Sequence, residues 1–312
     1  PEYIQFKGGP HADPNAATKT LAAQFPQPWD GKANVWDDTT GIKRASNIVL
    51  DLNDGLTVEF WMKKDGYVSS STTTRYEILF DVWNGQTGTT EGDSYGRFLI
   101  MMDGGAAMSA NAMHFNFTSG AADLFASLGG ITGNDVLDNK WHHIGFTVRS
   151  GSNWMESNSY LDGQHVHRHA HEGTPPPLFG SITGSLIANI GAMRIPATSQ
   201  STAAALAVEK KIDGYGQLSG SIDEFRFWKV TRTPKEINRF WFTQVAGGTN
   251  TDNQKFSGSA KPADLGFYYK FNEGNTGDDT VDATVLDYSG RMTNGTWTGF
   301  VSGSSRVSGP LA

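Results

Sequence analysis

Apolar and polar residues alternate with a period of two through most of this chain, and that period leaves little choice but β-strand. In "LTVEFWMK" (56–63), Leu56, Val58, Phe60 and Met62 fall on one face and Thr57, Glu59, Trp61 and Lys63 on the other, the pattern of a half-buried strand. "RYEILFDVW" (75–83), "GRFLIMM" (96–102), "MHFNF" (113–117), "WHHIGFTVR" (141–149), "GSLIANIGAMRI" (184–195), "GSIDEFRFWKV" (220–230) and "LGFYYKF" (265–271) read the same way. "NSYLDGQHV" (158–166) is a hairpin turning at Asp162-Gly163, a dipeptide whose backbone matches the native strand twist. One helix start is visible, in "TRTPKEINRFW": Thr233 as N-cap, Pro234 in the first turn and Glu236 completing a capping box. The helix is short, near 233–243. Many strands with one short helix predict an all-β two-sheet sandwich.

Composition narrows the function. A net charge of -7 with no basic cluster argues against nucleic acid as a partner, since that binding is driven by phosphate neutralisation. Cysteine is absent, which excludes disulfides and thiolate metal sites. No apolar run is long enough to insert in a membrane, and "PEYIQFKGGP" shows no signal-peptide pattern. No Walker or dinucleotide motif appears, so no organic cofactor is implied. Residues 246–262, "AGGTNTDNQKFSGSAKP", read as a polar linker or loop between residues 1–245 and a strand-containing segment, 263–312. That last segment either packs on the first or leads to a following domain.

Four sets of residues carry possible chemistry. In "SIDEF", Asp223 and Glu224 are adjacent, so a regular strand sends them to opposite faces, Asp223 with Phe225 and Phe227, Glu224 with Ile222, Arg226 and Trp228. No third carboxylate follows at the spacing a glycosidase of such a sandwich needs, and no nucleophile elbow is present; the chain reads as not an enzyme. "LDYSGRMTNG" (286–295) offers Asp287, Asn294 and turn carbonyls as calcium ligands, with "DDTVD" (278–282) nearby and Asp37-Asp38 in a second candidate loop; alternatively Asp287 caps a turn. Trp29, Trp83 and Trp154 stand in polar contexts; Trp83 and Trp154 are candidate ligand contacts, with local packing the bland alternative. "HVHRHAH" (165–171) puts His165, His167, His169 and His171 on one strand face. Neighbouring imidazoles such as His165, His167 and His169 can clamp a transition metal, or simply form an exposed polar face.

The order of "GLTVEFWMK", "DNKWHHIGFTV", "SYLDGQHV" and "GSIDEFRFWKVTRTPKEI" resembles the laminin-G-like, pentraxin-like branch of the concanavalin A-like jelly rolls. "LGFYYKFNEGNTG…VLDYSGRMTNGTW" (265–297) is similar to a second signature often found beside such domains, and in style to repeats in large phage virion proteins. Residues 1–44 match less well, with "YIQF" (3–6) as an edge strand. The resemblance implies a jelly roll of two curved antiparallel sheets and calcium as a cofactor, with Asp223 joining Asp287 and Asn294. It also implies an extracellular, cell-surface or virion location. The expected function is a non-catalytic structural or interaction module whose partners are other structural proteins or copies of itself. A calcium-dependent lectin with a glycan ligand is the alternative, and a glycoside hydrolase of the same fold a minor one.

Overall fold

The computed structural model describes residues 2–7, 22–25, 48, 50–66, 76–84, 96–103, 111–119, 122–152, 154–172, 181–182, 186–193, 216–245, 264–274, 276–289, 294–298 and 306–308. The polar stretch 246–262, Trp29, Asp37 and Asp38 lie outside them. Eight strands lead the order: β1 (Glu2–Lys7), β2 (Ala22–Phe25), β3 (Leu50–Asp51), β4 (Leu56–Lys63), β5 (Tyr76–Trp83), β6 (Gly96–Asp103), β7 (Met113–Ser119) and β8 (Ala122–Ser127). After the single-turn helix α1 (Gly133–Val136) come β9 (Trp141–Ser150), β10 (Trp154–Leu161), β11 (Gln164–Glu172), β12 (Ser181–Ile182), β13 (Ile187–Ile190) and β14 (Ser219–Trp228). Helix α2 (Pro234–Phe240) follows, then β15 (Leu265–Tyr269), α3 (Asp279–Asp282), β16 (Thr284–Val285), β17 (Gly295–Thr298) and β18 (Arg306–Ser308). Among the described residues no helix is long and apolar enough to cross a membrane.

The strands form two large antiparallel sheets. One runs β11-β10-β9-β4-β14-β1-β18 with β15 also on β14, the other β16-β17-β2-β13-β5-β6-β7-β8. The expectation of curved sheets is corrected here. Each large sheet is an open, uncurled ladder running from one outer strand to another, and among the described residues no strand pairs across from one sheet to the other. Period-two alternation dictates which face is buried, but curvature depends on where bulges fall, and alternation says nothing about those. β1 is also not an edge strand, since it pairs with both β14 and β18.

The core lies between the two inner faces. Phe60 of β4 stacks on Phe225 of β14, with ring centroids 5.4 Å apart. Phe80 reaches across from β5 and meets Phe225 at 5.2 Å, Phe227 at 5.8 Å and Phe267 at 6.1 Å. The C-terminal segment joins this core: β15 pairs with β14, and Phe267, Tyr269, Phe271, Val285 and Trp297 are buried in the same cluster. At one end a buried ion pair ties the two sheets. Lys64 Nζ lies 2.6 Å from Glu77 Oε2, which also accepts the Ser219 N–H at 2.8 Å.

The helix forms where its cap predicts it. The Glu236 N–H donates to Thr233 Oγ1 at 3.3 Å, and Glu236 Oε2 accepts the Thr233 N–H at 2.7 Å, so two backbone donors that a helix start leaves orphaned are both satisfied. The hairpin is equally local. Asp162 and Gly163 have φ of 49° and 76°, the left-handed pair that a two-residue turn demands.

Because Phe80 touches three rings of the opposite sheet, Phe80→Ala should cost about 3–5 kcal/mol in urea-monitored unfolding. A loss below 1 kcal/mol would show that the two sheets do not pack through this ring.

Candidate functional site

The outer face of the first sheet carries a buried polar layer. Alternation sends Thr57, Glu59 and Trp61 outward from β4, and register sets them opposite Thr147, Gly145 and His143 of β9. β14 supplies Arg226 opposite Glu59 and Trp228 opposite Thr57, and β15 sets Tyr268 against Arg226. Trp241, just after α2, covers them, with its ring 5.3 Å from Trp61 and 5.9 Å from His143. Trp241 also rests on Gly163, where a Cβ would collide with the indole. The hairpin glycine thus meets two demands, a positive φ and a close ring.

Charge in this layer is balanced. Burial opposes ionisation of Glu59, but Arg232, His143 and Arg226 outweigh it and hold its carboxyl down at about 2. Arg232 Nε lies 3.8 Å and His143 Nε2 3.4 Å from its two oxygens. Burial lowers the pKa of His143 itself, against the pull of Glu59. Arg226 donates to Glu224 Oε2 at 3.0 Å and to the Thr243 carbonyl at 2.7 Å. The Tyr268 hydroxyl donates to the same Glu224 carboxylate, and Arg232 stacks 4.0 Å over the Trp228 ring. Each guanidinium has a carboxylate, the condition for carrying charge inside a fold.

This layer reaches the surface along one edge. Gln244 Nε2 donates to Glu224 Oε1 at 3.1 Å, and Gln244 Oε1 accepts from Lys270 at 3.3 Å. The Lys270 ammonium lies 5.3 Å from the Tyr268 ring and 4.9 Å from that of Tyr288. Tyr288 is 38% exposed, and its hydroxyl donates to Asn272 Oδ1 at 3.1 Å. Exposed Leu286 stands two residues before it, and Phe242 is 64% exposed beside Trp241. The result is a surface ring flanked by a cation and an amide, backed by an anchored polar base.

The residues singled out from the sequence are distributed differently from expectation. Asp223 and Glu224 do not simply alternate, because β14 has a bulge between Asp223 and Arg226 with Glu224 at φ 52°. Ile222 therefore shares the core with Phe225 and Phe227, while Asp223 sits opposite Trp61. Asp287 Oδ1 accepts from the Tyr268 and Ser289 N–H groups, and Oδ2 from the Ser289 hydroxyl. Asn294 Oδ1 accepts the Asp287 N–H at 3.0 Å. Asp287 is thus a turn cap, and Asp223 has separate partners. Among the described residues no three His, Asp or Glu side chains group as they would around one metal ion, while Asn294 and Asp287 are brought together at this turn. In "DDTVD", Asp282 accepts from Thr276 and Gly277 N–H groups and caps its own turn.

The histidines are divided too. A bulge in the β10–β11 ladder sets His165 opposite Tyr160 but His167 opposite Ser159 and His169 opposite Ser157. His165 accordingly leaves the face shared by the others and pairs with Asn158 Oδ1 at 2.9 Å. Trp83 is a buried residue of β5 with Arg97 5.7 Å over its ring, and Arg97 forks onto Asp81 at 2.8 and 2.7 Å. Trp154 is 37% exposed, with Arg149 5.9 Å from its ring. Tyr288, Lys270 and Asn272 were not singled out; the one hint was "YYKFN" beside "LDYSG", and it takes the bridge between Tyr269 and Asp287 to bring them together.

Two titrations test this electrostatic picture. Burial, and then the charge of Glu224, pushes Asp223 up to about 8. Its protonated form suits the fold, so its contribution is full below about 4 and is lost as pH rises toward 8. Asp223→Asn should gain stability over the parent across that window in urea unfolding, with a gap that stops widening above it; a pH-independent gap refutes the assignment. Burial opposes charge on His142, but Asp162 and Asp138, at 2.9 and 3.1 Å, prevail and raise its pKa. Its stabilisation is therefore full below the ordinary imidazole value and fades as pH rises through the folded one. His142→Gln should cost more stability at pH 5.5 than at pH 8.5, and an equal cost at both would argue against the clamp.

Residues 37–238 match the Laminin_G_3 model, described as the Concanavalin A-like lectin/glucanases superfamily. No curated protein matches the chain. Among solved structures, it is similar to a native heptameric SAP-like pentraxin from Limulus polyphemus, with 13% identity, 76% of this chain and 80% of that one covered, and a TM-score of 0.43. It is similar to a putative carbohydrate binding protein from Bacteroides ovatus at 16% identity, covering 90% of this chain and 59% of that one, TM-score 0.41. Tailspike protein 2 from Escherichia coli O157:H7 bacteriophage CAB120 matches at 10% identity, 72% and 25% coverage, TM-score 0.40. With well over half its length matched by one family model, the chain belongs to the laminin-G-like family of the concanavalin A-like lectin/glucanase superfamily.

Proposed function

We propose that this chain is a non-catalytic, lectin-like carbohydrate-binding module of a cell-surface or virion protein, with the Tyr288 edge as its glycan contact. The observation that carries the reading is the exposed Tyr288 ring set between Lys270 and Asn272. Sugars offer an apolar C–H face that packs on an aromatic ring and hydroxyls that bond amides and ammonium groups. A base anchored through Tyr268, Glu224 and Arg226 keeps such a ring from paying ordering entropy on binding. The buried carboxylates support the non-catalytic part. Glu59 is held near 2, whereas a glycosidase acid needs a raised value at a solvent-open position. Asp223 has the raised value but is buried.

A glycan array followed by calorimetry on the best binder tests this. Tyr288→Ala should weaken binding by about 1 kcal/mol, roughly fivefold, and Lys270→Ala should weaken it as well. Because the Asp287 oxygens already accept three donors, binding should persist in EDTA, and loss there would restore the calcium-dependent form of the proposal. Absence of any glycan ligand, or binding indifferent to both variants, would overturn the assignment. A second reading, a structural module contacting other structural proteins or copies of itself, draws support from Phe242, an apolar ring 64% exposed on the turn after α2.

A further inference from the structure

We infer that β11 is a docking edge for a second copy of this chain, and that a zinc ion held by His167 and His169 of both copies closes the contact. β11 is the outermost strand of its sheet, with β10 as its one partner among the described strands. It is nine residues long and contains neither proline nor lysine, the usual devices that keep edge strands apart. Val166 is exposed at 37%.

The sequence makes this edge self-complementary. When an antiparallel strand pairs with its own copy about a two-fold axis normal to the sheet, opposed residue numbers sum to an even constant. Odd positions then face odd positions. Beyond the bulge, positions 167, 169 and 171 are all histidine, so each such register within 167–171 sets imidazole against imidazole. Centred on Arg168, it sets His167 opposite the partner's His169 and His169 opposite the partner's His167. Directly opposed Cβ atoms on such a pair are about 4.5–5.5 Å apart, within reach of one ion with Zn–N bonds of about 2.0–2.1 Å. Arg168 would meet its own copy at the axis, but its guanidinium is already bound to Glu156 at 2.8 and 2.6 Å, which offsets the like charge.

One half of the site is arranged within the single chain. The bulge removes His165 from the row and leaves His167 and His169 side by side, ring centroids 6.2 Å apart and both half-buried. His167 lies on Gly129 and Gly130, where any Cβ would strike the ring or its backbone. Two imidazoles are too few for a structural zinc, which takes four ligands. The partner copy completes the tetrad.

Sedimentation velocity of the full chain in zinc chloride and in EDTA tests this, with calorimetry for stoichiometry. The expected result is a dimer in zinc, monomer in EDTA, and one zinc per two chains. His167→Gln with His169→Gln should return the dimer fraction in zinc to its EDTA level, while His142→Gln should leave it unchanged. Should the double variant misfold, His169→Gln alone and the parent's stoichiometry decide the matter. No dimer in zinc, one zinc per chain, or a zinc dimer that survives loss of these histidines would overturn the inference.

Discussion

The bulge in β14 between Asp223 and Arg226 is the constraint on which the rest of this fold depends. β14 pairs with β4 along one side, and with β1 and then β15 along the other. One extra residue, Glu224 at φ 52°, resets the alternation in mid-strand. Without it, Ile222 and Phe225 could not both face the core, since three positions apart on a regular strand they would point opposite ways. With it, the Phe225–Phe227–Phe267 stack forms inside, and Arg226 and Trp228 turn outward to meet Glu59 and Thr57.

The outward residues make a layer whose worth lies in specificity more than in energy. Buried ion pairs roughly break even against apolar replacements, while removal of one partner leaves an uncompensated charge. Glu59 with Arg232 and Glu224 with Arg226 and Tyr268 thus penalise any strand register other than this one. The same layer carries rigidity outward through Gln244 and Lys270 to Tyr288. A surface ring two hydrogen bonds from a buried network is a better ligand contact than one on a free loop.

Much of the framework was legible from local pattern. The strand at 56–63, the Asp162-Gly163 hairpin and the capped helix at Thr233 all rest on interactions within a few residues of each other. The misses share one cause. β2 and β17, four residues each, pair with one another across some 270 positions and carry no period long enough to detect. Asp223 and His165 were assigned faces by counting in twos, and a bulge defeats that count in each case. Trp83 stood out as a ligand candidate beside the polar "NGQ", but it is buried at the end of β5 and packs under Arg97.

By itself the sequence determined the longer strands, where their hairpin turns, where the capped helix starts, and the family to which the chain belongs. These follow from alternation, turn chemistry and capping, all short-range. Tertiary structure alone decided where the bulges fall, that the sheets stay open, which carboxylates are paired with guanidiniums, and that Tyr288 meets Lys270 and Asn272 at the surface. Those outcomes depend on contacts between residues distant in the chain, and a side chain's partner across a sheet is set by register, which no local window of sequence contains.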